Sequence, residues 1–399
     1  MSDMKNINIL ISGAGIAGPA LAYWLYHYGF KPTVVESCPE LRKGGYMIDF
    51  WGAGYDAAEK MHIIELLKDI SYSITELIFL DDNGKKRGSI CLKHLLNVIN
   101  GRMFSFLRSD LARVLYDITQ KHTHYIFDDT ITNLEELDDG VLATFKNRDP
   151  QKFDLVIGAD GLHSNVRTKY FETSELFERH LGYYVCSVTL DNFLEESFTT
   201  EYMMYSMPNK QVAIYSLRKN KISVFFIFKY YGYINMKDKD SQKKIIKTVF
   251  NEDKWICKQL LEKLDSVCDF YFDSVSQIIM DKWSNGRVCL LGDAAFCPSL
   301  LSGQGASLSM AGAYVLAGEL YEAKGDYKLA FKNYEKVFKG FVEKRQEVAG
   351  VFVRSFMPSS YLRIWIRNQC IRFINTPFFS KLYWKKFLID EIHLKNYED

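Results

Sequence analysis

The sequence predicts an α/β fold in which a Rossmann-like domain is interrupted by an antiparallel β-sheet domain and followed by C-terminal helices. A strand, a glycine-rich turn and a helix open the chain, as in nucleotide-binding βαβ units. A second apolar strand ends in Gly292-Asp293, and further glycines lead into a helix near 303–305. Between these motifs, apolar runs alternate with polar turns from about 180 to 275. Because the motifs lie at opposite ends of the chain, we expect both to hold one long cofactor.

The first motif follows an apolar run at 7–12 and contains Gly13, Gly15, Ala17 and Gly18. In such a turn the first glycine permits the tight bend, and the second lets the backbone approach a pyrophosphate. The third allows close packing of the helix on the strand. Glu36 ends the next strand, 31–36, where it can accept hydrogen bonds from both ribose hydroxyls of an adenosine. A glycine turn without a ligand is the alternative interpretation.

The remaining elements follow from apolar periodicity and turn residues. Asp82-Asn83-Gly84 lies between two apolar runs and predicts a hairpin over 76–93. The pattern then predicts a helix at 109–121, a strand at 153–157, the antiparallel sheet of 180–275 with a helix near 239–263, and helices at 306–323, 327–356 and 361–375.

Composition excludes several classes of protein. Lys and Arg total 50 against 49 for Asp and Glu, so no basic surface for nucleic acid is expected. The cysteines form neither a C-x-x-C pair nor a zinc pattern, and we expect no metal and a reducing compartment. We expect a cytoplasmic monomer without a signal peptide. The uncharged run 294–318 is interrupted by proline and glycines, so we expect no stable membrane insertion.

Later motifs distinguish among dinucleotide-binding proteins. They are the stretch 42–49 (RKGGYMID), Arg108 in 107–111 (LRSDL), 160–167 (DGLHSNVR) and Gly292-Asp293. With the opening motif they occur in the order found in the class A flavoprotein monooxygenases, the para-hydroxybenzoate hydroxylase-like family. The chain resembles this family over nearly its whole length, and the resemblance implies that the cofactor is FAD.

The resemblance also implies domain limits. The FAD-binding domain would comprise 1–75, 95–178 and 276–325, and the inserted antiparallel β-sheet substrate domain 76–94 and 179–275. Residues 326–399 would form the C-terminal helices, with the last helix over the substrate entrance.

Roles for single residues follow from the same resemblance. Glu36 would hold the adenosine ribose, and Asp293 would bind a ribityl hydroxyl. Arg108 would lie along FAD, Asp49 beside the flavin, and Arg42 on the route of the incoming nicotinamide nucleotide.

Two further groups complete the expected cofactor site. Asp160 and Gly161, with Ser164 and Arg167 behind them, would shape the groove that serves FAD and the reductant. The helix that begins near Gly303 and Gly305 would direct its N-terminal N–H groups at the pyrimidine end of the flavin. Arg42 and Arg167 are alternatively structural ion-pair residues.

Several features resemble the tetracycline-inactivating monooxygenases within this family. They are the opening stretch 9–25, the Arg-Lys-Gly-Gly stretch, 297–305, 313–320 and a terminal helix. Here that helix is predicted over Tyr361–Ile374, with Arg363, Arg367, Arg372 and Trp365 on it. A packed core helix and a helix that contacts acidic lipid are the alternatives.

The sequence departs from the family at four positions. Phe296 replaces the usual His after Gly-Asp-Ala-Ala, and Leu300 replaces a Pro that packs by the flavin. Ser307 and Gly312 replace an Asn and an Asp of the following helix. We expect FAD binding to persist, because backbone groups and Asp293 carry it.

The resemblance implies a single-component monooxygenase. NADPH or NADH would reduce FAD, O2 would add at the flavin C4a, and the hydroperoxide would hydroxylate a polycyclic aromatic or enol small-molecule substrate, with tetracycline-type antibiotics expected. The flavin carries this chemistry, so no catalytic side chain is predicted. The residues predicted to contact substrate are Tyr205, Tyr215, Arg218 and Phe225. The alternatives are a hydroxylase of another phenol or polyketide, a flavin-dependent reductase of unsaturated lipids, and a non-catalytic binding protein.

Overall fold

The computed structural model describes residues 7–42, 44–171, 177–191, 193, 200–267, 269–375 and 392–397. Lys43 of the Arg-Lys-Gly-Gly stretch and residues 376–391 of the expected C-terminal helices lie outside this set. The strands are β1 (Asn8–Ser12), β2 (Lys31–Val35), β3 (Met47–Trp51), β4 (Glu76–Leu80), β5 (Lys86–Cys91), β6 (Met103–Leu107), β7 (His124–Ile126), β8 (Ile131–Leu137), β9 (Gly140–Phe145), β10 (Gln151–Phe153), β11 (Leu155–Gly158), β12 (Glu178–Asp191), β13 (Glu201–Met207), β14 (Lys210–Leu217), β15 (Lys221–Lys229), β16 (Phe270–Ile278), β17 (Ser284–Asn285) and β18 (Val288–Leu290).

The α-helices lie between and after these strands. They are α1 (Ala17–His27), α2 (Ala53–Lys60), α3 (Ile64–Ile70), α4 (Leu92–Val98), α5 (Arg108–Thr119), α6 (Asn165–Tyr170), α7 (Lys239–Phe250), α8 (Cys257–Lys263), α9 (Asp293–Phe296), α10 (Gly305–Glu322), α11 (Tyr327–Phe356) and α12 (Tyr361–Ile374).

The first sheet is the Rossmann-like sheet, with strand order β17-β18-β11-β1-β2-β7. All its neighbours are parallel except β17 and β18. Apolar side chains of β1 are buried, as expected for a central strand covered on both faces. Helix α1 packs against α10, so the beginning of the chain and the region after residue 304 share one core. The predicted fold class, a Rossmann-like α/β domain with an inserted antiparallel sheet, is confirmed, and the predicted domain limits stay a prediction.

The second large sheet has the strand order β16-β12-β15-β14-β13-β4-β5. It joins the predicted hairpin of 76–93 to the strands predicted over 180–275. Neighbours are antiparallel, as predicted, except for β4 and β13, which run parallel. One face packs on α7 and α8, and the other faces a large cavity. This sheet therefore forms one wall of a second compartment beside the cofactor fold.

Smaller sheets connect the two compartments. Strands β3 and β6 form an antiparallel pair, and β8, β9 and β10 form a three-stranded sheet. The sequence analysis did not predict these strands, nor helices α2 to α4. The single helix expected near 239–263 is two helices, because Trp255 adopts a positive φ of 53° and donates its backbone N–H to Asp82 of the hairpin turn at 2.9 Å.

The three C-terminal helices agree with the predicted periods. Helix α10 is buried along almost its whole length, whereas α11 and α12 are partly exposed. Gly318 explains one close approach, because a Cβ atom there would lie 2.3 Å from the ring of Tyr397. Within the described residues, no helix combines the length and apolar character needed to cross a bilayer.

Candidate cofactor cleft and substrate cavity

A cleft of about 350 Å³ lies at the carboxyl ends of β1, β2 and β11. In open α/β sheets this edge is where ligands bind, because the following loops and helix N-termini meet there. The predicted cofactor residues that line it are Gly13, Gly15, Ala17, Glu36, Arg42, Arg108, Asp160, Gly161, Asp293, Gly303 and Gly305. Motifs from four separate parts of the chain, around 13–42, 108, 160–161 and 293–305, therefore meet in one cleft.

The glycine turn after β1 has no room for side chains at two positions. Gly13 has a φ of 107°, and a Cβ atom there would lie 2.6 Å from the carbonyl oxygen of Ala159. Gly18 does not line the cleft; a Cβ atom on it would lie 1.9 Å from the carbonyl oxygen of Gly13. At Gly15 a Cβ atom would point toward Arg108, 3.5 Å away. Gly13 and Gly18 thus shape the turn, and Gly15 keeps its opening clear.

Glu36 lines the cleft at the end of β2, where the adenosine ribose is expected. Its carboxylate accepts hydrogen bonds from the backbone N–H groups of Ala14 at 2.8 Å and Cys38 at 2.9 Å. Burial raises the pKa of Glu36, but these N–H groups and the charge of Arg42 outweigh it, so the pKa lies below its usual value. The ionised side chain therefore ties the glycine turn to the end of β2 and keeps lone pairs for hydroxyl donors.

Arg42 lies at the exposed edge of this end. Its Nε donates to the Cys38 sulfur at 3.4 Å, and its charge acts on Glu36. Among the described residues it lies within salt-bridge distance of no carboxylate, so the structural ion-pair interpretation of Arg42 is not supported there.

The Asp160 carboxylate organises the turn after β11. It accepts from the Ser164 hydroxyl at 2.5 Å and from the backbone N–H of Asn165 at 2.8 Å, at the beginning of α6. Burial raises its pKa. Gly161 beside it has a φ of 83° and has no neighbouring atom within 4 Å of a Cβ position. The turn is thus held from within the protein, while its outer surface faces the cleft.

Arg167 lies behind the cleft and is 1% exposed. Its guanidinium donates to the carbonyl oxygens of Ala294 at 2.8 Å and Leu162 at 2.5 Å. Both partners are backbone carbonyls. Arg167 is therefore a structural residue, but it acts through hydrogen bonds and not through the ion pair that was the alternative interpretation. This residue joins the turn after β11 to the Gly-Asp motif at 292–293.

Asp293 follows Gly292, whose φ of 66° turns the chain from β18 into α9. Burial raises the pKa of the Asp293 carboxyl, and the charge of Arg108 partly offsets this. A Cβ atom at Gly305 would lie 3.2 Å from the Asp293 carboxylate, so only a glycine leaves this approach open. The carboxylate thus lies beside the first residue of α10.

Ser299 is a cleft residue that the sequence analysis missed. It is 1% exposed, lines the cleft, has an unusual φ of 113°, and its hydroxyl has no hydrogen-bond partner among the described residues. A buried hydroxyl without a partner and a strained backbone both indicate a ligand-facing position. Together with the open glycine turns, this fits a bound FAD. What distinguishes Ser299 is a positive φ at a residue that is not glycine. A sequence does not reveal φ, so no sequence signal could have identified this residue.

His163 and Asp273 form a second pair at the cleft. The His163 ring nitrogen lies 2.8 Å from the Asp273 carboxylate, which raises the pKa of His163. Asp273 also accepts from the Tyr271 hydroxyl at 3.1 Å. His163 lies in the 160–167 motif, but nothing in the sequence predicts that it pairs with Asp273 on β16. The pairing arises only because the large sheet closes one side of the cleft.

A larger cavity of about 600 Å³ adjoins the cleft. The two share Tyr46, Ile48, Leu300 and Gly303 as lining residues. Its walls come from β3, the cavity face of the large sheet, α11 and α12, and most of them are apolar. The helix predicted over the substrate entrance, Tyr361–Ile374, contributes to the lining.

Asp49 lines this larger cavity and not the cleft. It lies on β3 opposite Ser105, whose hydroxyl donates to its carboxylate at 2.5 Å. Asp49 is open to the cavity, but the surrounding protein removes bulk solvent from it and thereby raises its pKa, and the Ser105 hydrogen bond lowers it in part. Asp49 follows Ile48, which lines both cleft and cavity, and its expected position beside the flavin stays a prediction.

Of the four predicted substrate contacts, Phe225 lines the cavity and three do not. Tyr205 lies on the opposite sheet face, where its ring packs against Trp255 and its hydroxyl donates to Asp82 at 3.0 Å. Tyr215 is on the cavity face but buried behind Tyr202.

Arg218 is also away from the cavity. It donates to the backbone carbonyls of Asp69 and Ser71, both at 2.9 Å, and stacks on Tyr72. We therefore correct the predicted contacts: Arg218, Tyr205 and Tyr215 support the walls, and Tyr202 and Met204 join Phe225 on the cavity surface.

The four family departures fall in two places. Phe296 is 1% exposed and packs on Trp283 and Phe338, and Gly312 lies directly against it. Leu300 lines both the cleft and the cavity. Ser307 is buried, and its hydroxyl has no partner among the described residues.

Fold and cleft together define a flavoprotein of the kind in which early glycines and a late Gly-Asp motif hold one FAD. A family profile described as FAD binding domain matches residues 85–328, and the chain belongs to this family.

Curated relatives agree with this assignment. An uncharacterized protein of Mycobacterium tuberculosis is 40% identical over 342 residues, which cover 85% of this chain and 91% of that protein. A flavin-dependent monooxygenase of Legionella longbeachae is 36% identical over 359 residues, covering 88% and 89%.

Solved structures give the same result. The tetracycline destructase Tet(55) superposes with a TM-score of 0.84 at 34% identity, covering 98% of this chain and 99% of that one. Klebsiella pneumoniae HpxO, in complex with FAD and uric acid, gives a TM-score of 0.78 at 20% identity, covering 98% and 99%, a likeness of fold alone. The chain is a flavin-dependent monooxygenase whose structure is close to the tetracycline destructases.

Proposed function

We propose that the protein hydroxylates a polycyclic phenol or enol with NADPH or NADH and O2, and that tetracycline-type antibiotics are substrates. The observation that carries the proposal is the apolar cavity of about 600 Å³ that meets the cofactor cleft at Tyr46, Leu300 and Gly303. Cavities of this size and character suit drug-sized ring systems. The similarity to Tet(55) supports the antibiotic as the substrate to test first.

The cleft residues would hold FAD in the proposed arrangement. Glu36 would accept hydroxyl donors of the adenosine ribose, and Asp293 those of the ribityl chain. Gly15 would leave the pyrophosphate close to backbone N–H groups at the beginning of α1, where the helix dipole favours an anion. Bound FAD would supply the redox chemistry, taking electrons from the nicotinamide and activating O2.

The protein's own contribution would be enclosure and orientation. The apolar walls exclude water from the place where cleft and cavity meet, which protects reactive species from hydrolysis. Phe225, Tyr202 and Met204 would pack on the substrate rings from the large sheet. Asp49 would present the one carboxylate among the described lining residues, near enough to the shared wall to orient a substrate hydroxyl.

Oxygen consumption tests the proposal. The purified protein, loaded with FAD, would be mixed with NADPH or NADH, and tetracycline would then be added. We expect faster nicotinamide oxidation, matching oxygen uptake, and a product heavier by one oxygen atom. Oxidation that tetracycline and chlortetracycline both leave unchanged would contradict the substrate assignment.

A phenol or polyketide other than tetracycline is the second candidate. It is favoured by the mostly apolar lining, because apolar contacts discriminate weakly between ring systems of similar shape. The same oxygen assay across a panel of polycyclic phenols separates the two candidates. We also propose a cytoplasmic monomer, for which size-exclusion chromatography with light scattering is the test of oligomeric state.

A further inference from the structure

Helix α12 places positive charge in the wall of the large cavity. Its residues that line the cavity are Arg363, Ile366, Arg367, Cys370 and Ile371. The aliphatic and aromatic side chains around them cannot balance a charge. A guanidinium in such a wall costs free energy unless an anion approaches it.

Arg367 is held in place by neutral groups. Its guanidinium lies 4.3 Å from the ring centre of Phe79 and donates to the hydroxyl of Ser206 at 3.1 Å. Ser206 is buried and donates in turn to the side-chain oxygen of Gln211 at 2.9 Å. Further acceptors are the side-chain oxygen of Asn368 at 3.2 Å and the carbonyl oxygen of Phe356 at 3.5 Å.

No carboxylate of the described residues lies within salt-bridge distance of Arg367. Burial without a neutralising partner lowers its pKa to about 10, so the group is still charged at neutral pH. The stacked ring and the Ser206 hydroxyl fix the plane of the guanidinium. The cation is therefore oriented in advance by neutral partners, and no opposite charge among the described residues neutralises it.

The charges that line the cavity are unevenly distributed. Arg345 and Arg363 also contribute to the lining, and Asp49 is the sole acid among the described lining residues. Asp49 belongs to β3, at the side shared with the cofactor cleft, whereas Arg363 and Arg367 belong to α12. A ligand with an anionic group and an apolar body would match this arrangement.

We propose that Arg367, assisted by Arg363, recognises an anionic oxygen group of the substrate, either a carboxylate or the conjugate base of an acidic enol. This inference rests on the proposed function and narrows it: the substrate is a polycyclic anion, and α12 is its recognition element. The guanidinium keeps a donor for this role, because Nε and Nη2 donate to Asn368 and Ser206, whereas the one acceptor of Nη1 among the described residues is the Phe356 carbonyl at 3.5 Å. A charge-assisted hydrogen bond from Nη1 to an anionic oxygen is stronger than one to a neutral acceptor. The anion would lie against α12, and the rings would extend toward Tyr46 and the cofactor cleft.

A matched pair of ligands tests the charge requirement. Anthracene-2-carboxylate and anthracene-2-carboxamide have nearly the same shape, but only the first is an anion at neutral pH. Binding of each to the FAD-loaded protein would be measured by calorimetry without NAD(P)H. We expect the carboxylate to bind at least about tenfold more tightly, as for a charge-assisted hydrogen bond in a partly dry site.

Variants then assign the effect to Arg367. Arg367→Met is expected to weaken carboxylate binding at least about tenfold and carboxamide binding less than about twofold. Arg367→Lys should recover part of the discrimination. The control is Arg372→Met, because Arg372 is exposed on the same helix and bonds Gln369 outside the cavity. The control should bind both ligands like the unchanged protein.

Several outcomes would overturn the inference. Equal binding of the two ligands by the unchanged protein would show that no anion site exists, and failure of both to bind would exclude the planar ring system. Equal weakening of both by Arg367→Met would make Arg367 a structural residue. If Arg367→Met does not fold, as judged by its melting temperature, binding of the same two ligands to Arg363→Met tests the anion site instead. If the protein still discriminates between the carboxylate and the carboxamide but shows no oxygen uptake, the proposed function is contradicted and the anion site is not.

Discussion

Arg167 donates a hydrogen bond to the carbonyl oxygen of Ala294 at 2.8 Å and thereby joins two cofactor motifs that lie far apart in the chain. Its second bond, to the carbonyl of Leu162, fixes the turn that carries Asp160. A buried guanidinium costs free energy unless it is hydrogen-bonded. Here two backbone carbonyls accept from Nη1 and Nη2 of Arg167, whereas its buried Nε has no hydrogen-bond partner among the described residues. The cleft therefore depends on a residue that does not face it.

Replacing Arg167 by Met should weaken both the fold and cofactor binding. Two buried carbonyls would lose their donor, at a cost of about 1–3 kcal/mol each, less what relaxation recovers. We expect the free energy of unfolding to fall by about 2–4 kcal/mol. Urea denaturation of the apoprotein and an FAD titration measure the two effects.

Arg113→Met is the control for this experiment. Arg113 is exposed on α5 and stacks on Tyr116. Its replacement should change stability by less than about 0.5 kcal/mol. If Arg167→Met changes stability as little as Arg113→Met does, the hydrogen bonds that link the two motifs contribute nothing to the free energy of unfolding.

Glu36 predicts a dependence of stability on acid. Its pKa is lowered in the folded protein, so its stabilising contribution is complete above the ordinary carboxylate pKa. The contribution is lost as pH falls through the lowered value. Glu36→Gln should therefore be less stable than the unchanged protein at pH 6, and the difference should shrink toward pH 3. Denaturant unfolding at several pH values gives the difference, and a constant difference would refute the argument.

Asp49 predicts the opposite dependence of stability on pH. Burial raises its pKa, so folding favours the protonated form, and stability is lost as pH rises through the raised value. Asp49→Asn removes this loss, and we expect it to be more stable than the unchanged protein at pH 8 but not at pH 4. Ser105→Ala should enlarge the effect at pH 8, because the Ser105 hydroxyl lowers the Asp49 pKa. A destabilised Asp49→Asn at pH 8 would be evidence against burial as the main cause.

Local patterns predicted the cleft well. The spacing of Gly13, Gly15 and Gly18 fixes a turn whose geometry depends on neighbours a few residues away, and so the sequence reveals it. The partners of Arg167 are different, because they are backbone carbonyls contributed by separate motifs. No residue type in a sequence signals that an arginine will bond to backbone carbonyls, so an ion pair remained an alternative interpretation of Arg167.

The substrate contacts were less predictable, for a physical reason. Strand β14 is buried along nearly its whole length, and the second half of β13 is buried too. A strand covered on both faces has no alternation of polar and apolar residues to show which side faces the cavity. Tyr205 and Met204 are adjacent on β13, yet they point to opposite faces, and only the tertiary structure distinguishes them.

Phe225 and Tyr205 therefore provide a matched test of the cavity. Phe225→Ala should raise the KM for the substrate about tenfold, since a ring that packs on the substrate is lost, and leave FAD affinity unchanged. Tyr205→Phe removes the hydrogen bond to Asp82 and should cost about 1 kcal/mol of stability without changing KM. Steady-state kinetics and thermal unfolding measure both. A KM effect at Tyr205 equal to that at Phe225 would place the cavity on the wrong sheet face.

Two of the departures from the family depend on each other, which leads to the last prediction. A Cβ atom at Gly312 would lie 3.2 Å from the Phe296 ring and 3.1 Å from both Leu291 and Phe338. All three neighbours are buried, so each would have to shift within a packed core to make room. Gly312→Ala gains about 1 kcal/mol of helix propensity but overpacks the core, at about 1–3 kcal/mol. We expect a net loss of up to about 2 kcal/mol in thermal or urea unfolding.

Truncating Phe296 should reduce the cost of that change. In a Phe296→Leu background one of the three crowding contacts is removed and Leu291 and Phe338 gain space to shift, so Gly312→Ala should cost less than it does in the unchanged protein. A double-mutant cycle should give a coupling of about 0.5–3 kcal/mol. Gly340→Ala, in an open position of α11, supplies the gain in helix propensity without crowding and should stabilise by up to about 1 kcal/mol. Additive costs at positions 296 and 312 would mean that the two substitutions are independent, because only direct contact between them predicts coupling.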